Sequence, residues 1–192
     1  MVRWRAGRCA VHARRYRIGR AMTGRTKPRR KKPRTAAQLL PLPPGQRHLI
    51  SMQQHCALAA FRDGHGTADQ IRVLARVVYL PLMMLRAETG GRADPGPYRT
   101  AEAMLYRCYL HGQAGEGWRL ETDEAAHFAG LLTHFDGQLA ACRAHCYLDA
   151  LESLVHFERS GCSPLADPRA PAAQDALFRW LVEKTATPGT NG

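Results

Sequence analysis

Residues 71–85 are apolar on most sides of a helix, and this stretch limits what the chain can fold into more than any other. Ile71, Leu74, Ala75, Val78, Leu82 and Leu85 repeat at spacings of three and four, while Val77, Leu80 and Met84 fill the opposite side. A helix of that kind is stable in water only when other elements surround it. The cover is expected to be protein rather than lipid. The apolar run 73–85 is interrupted by Arg76 and Pro81 and falls short of the roughly 18–20 residues that a membrane span requires. Thr67, with Gln70 three residues on, forms a capping-box pattern at the start of this helix. Pro81 is expected to kink it and Gly90-Gly91 to end it.

The covering helices are legible on both sides. Pro44 can occupy a first helical turn, and Leu49, Met52, Cys56 and Ala60, with Ile50, Ala57 and Phe61, predict a helix over 45–62 that stops at Asp63-Gly64. Ala101, Met104, Leu105, Cys108 and Tyr109 predict another over 97–111, broken by Gly112, Gly115 and Gly117. Thr122-Asp123-Glu124 reads as a helix start, with its acids where the macrodipole favours them. Phe128, Leu132, Phe135, Leu139, Cys142 and Cys146 then continue the apolar period through Leu151, Leu154, Val155 and Phe157. At 1.5 Å per residue, one helix over 123–160 would be almost 60 Å long (a rough figure), longer than a compact domain of this size. It is therefore expected either to bend at Gly130 or Gly137 or to protrude into a partner, with Phe128, Leu132, Phe135 and Leu139 as the interaction seam. Pro164, Pro168 and Pro171 interrupt the chain before a short amphipathic helix over 171–184 carrying Leu177, Trp180 and Leu181. No alternating run rich in β-branched residues supports a strand. The expected fold is an all-α bundle of four to five helices over 45–185, preceded by a disordered basic arm and proline-rich linker over 1–44 and followed by a disordered tail over 186–192.

Charge divides the chain as sharply as hydropathy does. The first 34 residues hold 14 of the 28 Lys and Arg residues and no Asp or Glu, which leaves 14 basic against 16 acidic residues in 35–192. A formal +12 protein is thus a +14 arm on a body of −2. Met22 opens MTGRTKPRRKKPRT and is an alternative start; from it the seven arginines of 1–21 drop out and the charge falls to +5. The cluster Lys27, Arg29, Arg30, Lys31, Lys32 and Arg34 survives either start, and Pro28 and Pro33 favour an extended backbone through it. Such an arm suits a polyanion, contacting phosphates without reading bases. Trp4 and Tyr16 could stack on bases if translation begins at Met1. Arg outnumbers Lys 24 to 4, a bias that GC-rich coding also produces, so single arginines carry little weight. The N-terminus lacks the apolar middle of a secretory signal, and an Arg-rich transit peptide is disfavoured because no Ser precedes Ser51, so the expected location is cytoplasmic.

Chemistry-bearing motifs are sparse. Six cysteines in 192 residues are too few for a secreted disulfide scaffold and read as reduced thiols, four of them in helical segments where cysteine behaves as a small buried hydrophobe. His127, His134, Cys142, His145 and Cys146 fall near one side of the long helix, but without a CxxC pair, and a straight helix cannot wrap four ligands around one ion, so no metal is expected. The helix–turn–helix outline of 45–85, with Arg72 and Arg76 one turn apart, reads as a core hairpin, since its second helix lacks a polar side to face a DNA groove. No GxSxG, phosphate loop, HExxH or dinucleotide fingerprint is present, and neither an enzyme nor a cofactor is expected.

RRKKPRTAAQLLPLP, the helical hairpin after it and WRLETDEAAHFAGLLTHFDGQLAACRAHCYLDALES resemble in layout a group of small proteins from filamentous phages and plasmids of Gram-negative bacteria. Those proteins often carry the label of Fis-type transcriptional regulators and begin with a short basic stretch. The resemblance spans 22–160 and implies a small DNA-binding regulator, without assigning any functional residue. A Fis-type protein ends in a basic helix-turn-helix, whereas residues 161–192 hold only Arg169, Arg179 and Lys184 as basic residues, after a proline-rich loop. The expectation is an accessory or regulatory protein that binds nucleic acid, DNA first, through residues 27–34. The alternative is a helical protein-interaction module, dimerising or docking on a partner, with an incidental basic leader.

Overall fold

The computed structural model describes residues 33–160 and 163–165, all but Pro33 within the compact unit Arg34–Gly192. Among the described residues there are six α-helices and no strand: α1 Ala36–Leu39, α2 Pro44–Arg62, α3 Ala68–Glu88, α4 Gly96–Gln113, α5 Thr122–Ala141 and α6 Ala144–Ser160. The fold is an all-α bundle, with more helices than the four to five expected. Helix α3 is its axis, packing against α2, α4, α5 and α6. Ile71, Leu74, Val77, Val78, Leu80 and Leu82 have no exposed surface, and Tyr79 and Met84 almost none. All sides of the helix but the one carrying Arg72 and Arg76 are covered, as a largely apolar circumference demands. No helix among the described residues is long and apolar enough to cross a membrane.

Local signals set the ends of these helices. Pro44 stands in the first turn of α2, where its missing N–H costs nothing. The α2–α3 turn passes through Gly64, whose φ of 78° is one that side chains rarely adopt. The Thr67 hydroxyl oxygen then accepts from the Gln70 N–H at 3.3 Å, capping α3. Helix α3 runs on through Pro81, whose carbonyl accepts from Gln138 Nε2 of α5 at 3.3 Å. Gly112 lies within α4, and a Cβ there would collide with the Trp118 indole, so the returning loop packs onto the helix because the position has no side chain.

The single long helix over 123–160 is corrected. The helix breaks at neither Gly130 nor Gly137 but at Cys142, which takes extended backbone with ψ 156° and separates α5 from α6. A contact distant in sequence sets the break: the Ala144 N–H donates to the Leu40 carbonyl at 2.8 Å, and Pro41 and Arg143 form an isolated antiparallel bridge. The stretch read as linker is therefore built into the body. Thr35 caps α1 in a reciprocal box with Gln38, and α1 packs on α6. The helix expected over 171–184, with Leu177, Trp180 and Leu181, and the tail 186–192 lie outside the described residues.

The proposed interaction seam is corrected as well. Phe128, Leu132 and Phe135 have no exposed surface and Leu139 only 1 %, because they pack into this chain's own core with α5 laid across α2 and α3. The face that would serve as a seam is the one on which α5 packs against α2 and α3. Phe135→Ala is expected to destabilise the fold by about 3–5 kcal/mol, read from urea unfolding, with the oligomeric state unchanged. A loss below about 0.5 kcal/mol would place Phe135 on the surface instead.

Candidate functional site

Of the basic cluster, Lys27, Arg29, Arg30, Lys31 and Lys32 lie outside the described residues, and Arg34 lies within them. Arg34 marks the point where the arm joins the body. Its guanidinium donates to Asp149 Oδ2 of α6 at 2.8 Å, both side chains remaining well exposed, so the pair orients the chain more than it stabilises it. Downstream, His145 Nδ1 lies 3.0 Å from the Gln38 carbonyl, and the Leu40 to Ala144 bond follows. These contacts tie residues 34–41 to the start of α6 and make an elbow at the α5–α6 break. On the body as described, 12 arginines face 13 acidic residues, so the surface has no net positive charge to add to the arm.

The helix–turn–helix outline is not available for groove reading. Arg72 lies near Asp69 at 3.4 Å, and Arg76 is exposed on α3, but their helix is enclosed on every other side. A helix at the axis of a bundle cannot enter a groove about 12 Å wide.

The described His and Cys residues of α5 and α6 do not gather at one point. His127 Nε2 sits 2.9 Å from the Pro97 carbonyl, His134 is exposed, and Cys146 Sγ is 3.5 Å from Nε2 of the neighbouring His145. Across the α2–α5 interface, His55 Nε2 pairs with Asp136 Oδ2 at 2.9 Å. Among the described residues, no three His, Cys, Asp or Glu side chains gather as metal ligands.

The strongest polar cluster of the interior is one that sequence reasoning missed. Glu102, on α4, has no exposed surface and accepts from the Tyr79 hydroxyl of α3 at 2.7 Å and from the Ser163 hydroxyl. Burial, and then the Glu102 carboxylate beside it, hold the Tyr79 phenol well above its ordinary pKa, so it remains a donor throughout the physiological range. The Leu165 N–H donates to Ser163 Oγ at 3.1 Å, and Arg86 donates to the Pro164 carbonyl at 3.2 Å. Residues 163–165 thus clip the chain after α6 back onto α3 and α4. A signal was present, since Glu102 lies four residues after Tyr98 and three before Leu105, both buried, and so shares their face. Ser163 carries no comparable local mark. Ser163→Ala and Tyr79→Phe each remove a donor from a buried carboxylate, and each is expected to cost about 1–3 kcal/mol in thermal unfolding. Unchanged melting in both would mean that the carboxylate is not buried in solution.

Two of the described thiols, Cys108 and Cys142, are held in the protonated form. Burial, reinforced by the Glu124 carboxylate, pushes the Cys108 thiol up to about 12, and Cys142 is likewise raised by burial. Cys56 is exposed on α2. Iodoacetamide at pH 8, with sites read by peptide mass, is expected to label Cys56 in the native protein and to reach Cys108 and Cys142 only in denaturant. Labelling of Cys108 at the rate of Cys56 would contradict the buried, protonated thiol.

No family model, no curated protein and no solved structure matches this chain.

Proposed function

We propose that this chain is a small non-enzymatic accessory or regulatory protein that holds nucleic acid, in the first instance DNA, through its polybasic N-terminal arm. The observation that carries this reading is the segregation of charge: 14 basic and no acidic residues in 1–34, against a body of −2. A net-neutral surface offers phosphates little, whereas a dense, acid-free arm releases counterions wherever it lies along a polyanion. The enclosure of α3 supports the same division of labour, because it removes the helix–turn–helix outline of 45–85 as a reader of bases. The resemblance in layout to small phage and plasmid proteins labelled as regulators fits this reading too.

A second reading, as a protein-interaction module, keeps one observation in its favour. Leu49 and Met52 lie one turn apart on α2, 55 % and 45 % exposed, with Cys56 a further turn along. Self-association in sedimentation experiments that depends on Leu49 and Met52 would favour it.

The test is fluorescence anisotropy of a labelled 20-base-pair duplex across a salt series. The full chain is compared with a variant in which Lys27, Arg29, Arg30, Lys31 and Lys32 are replaced by Gln. The full chain is expected to bind with little sequence preference and steep salt dependence. The variant should lose about 4–5 from the slope of log affinity against log salt, at about 0.9 per phosphate contact. Equal binding by the two chains, or none by the full chain at low salt, would exclude the arm as the nucleic-acid ligand.

A further inference from the structure

The first turn of α6 holds a thiol and an imidazole in contact. Cys146 Sγ lies 3.5 Å from Nε2 of His145, within the range of a hydrogen bond from sulfur, and both side chains are half-buried. The other ring nitrogen fixes the direction of that bond. His145 Nδ1 stands 3.0 Å from the Gln38 carbonyl, and a carbonyl oxygen only accepts, so Nδ1 carries the hydrogen. In the neutral ring Nε2 then keeps its lone pair and accepts from the Cys146 S–H. A thiol, a base within reach of its proton and a third group that orients the base are the parts of an activated sulfur nucleophile.

The orienting carbonyl is itself anchored. Gln38 belongs to α1, where its side chain closes the reciprocal box with Thr35, and two residues on the Leu40 carbonyl accepts from the Ala144 N–H at 2.8 Å. The other described thiols lack this arrangement. Cys108 and Cys142 are buried, and Cys142 Sγ faces the Leu139 carbonyl at 3.9 Å, which takes a hydrogen bond but not the proton. Cys56 is exposed, but its neighbour His55 turns Nε2 to Asp136 Oδ2 at 2.9 Å. Exposure alone would make Cys56 the most reactive of the four described thiols; a positioned base would make it Cys146.

We propose that Cys146 is a reactive thiol, with His145 as its base, that takes up small disulfides to form a mixed disulfide. Nε2 accepts the Cys146 proton as Sγ attacks one sulfur of the incoming disulfide. A new S–S bond forms while the old one breaks, and the departing thiolate takes the proton back from Nε2. Cys146 is oxidised and the departing half is reduced to a thiol, so the exchange needs no reagent beyond the disulfide. The adduct stands beside the His145–Gln38 contact that ties residues 34–41 to α6, whatever the arm binds.

The test is the rate at which each cysteine of the full, reduced chain takes up hydroxyethyl disulfide, a small uncharged reagent, at neutral pH, with sites read by peptide mass. Beside it stands His145→Asn, whose side-chain amide can still donate to the Gln38 carbonyl but offers Cys146 no base. Cys146 is expected to react faster than the more exposed Cys56. In His145→Asn its rate is expected to fall by about tenfold or more, with the Cys56 rate unchanged. The order of the two thiols in the unsubstituted chain carries the test even if the variant folds poorly. Cys146 slower than Cys56 in that chain, or equally fast with and without His145, would overturn the proposal and leave Cys146 as a packing residue.

Discussion

A helix that is apolar all round can exist in water only inside something else, and α3 places that demand on the rest of this chain. Residues 71–84 present buried side chains in every direction but that of Arg72 and Arg76, so four other helices must pack around them. Three of those helices can reach α3 through short turns. The fourth, α6, can do so only if the long apolar stretch after residue 122 folds back, and the extended backbone at Cys142 makes that possible. The clip at 163–165 completes the cover by buttoning the chain onto Glu102.

Enclosing α3 also decides what the body has left for a partner. Phe128, Leu132, Phe135 and Leu139 are spent inside, and acidic and basic side chains on the surface nearly balance. The excess of positive charge sits before residue 35, and its root is held on α6 by Arg34, the capped turn of α1 and the bonds of Leu40 and Gln38. In the proposed function, a flat electrostatic surface and a concentrated arm divide the work: the bundle provides a stable base, and the arm meets phosphate.

Much of the fold was legible because it depends on near neighbours. The periodicity of 71–85, the Thr67 cap, the Gly64 turn and Pro44 in a first turn each act within a few residues, and each appears where the sequence placed it. The break between α5 and α6 was not legible. Its apolar period runs through Cys142 and Cys146 without proline or glycine, and the backbone of Leu40, about a hundred residues earlier, sets the break. The burial of Phe128 and Phe135 was not legible either, because it depends on α2 and α3 closing over α5. The candidate site was half legible: the arm announces itself by charge alone, whereas the elbow needs the fold to bring residues 34–41 against the start of α6.

Amide hydrogen exchange of the full chain, with and without duplex DNA, tests the central claim most directly: α3 is an enclosed axis, and any polyanion meets the arm and its root. The slowest amides are expected along 71–84 and should be unchanged by DNA, with new protection confined to the arm, residues 34–47 and residues 142–149. Fast exchange along α3, or DNA-induced changes there with none at the elbow, would contradict the account.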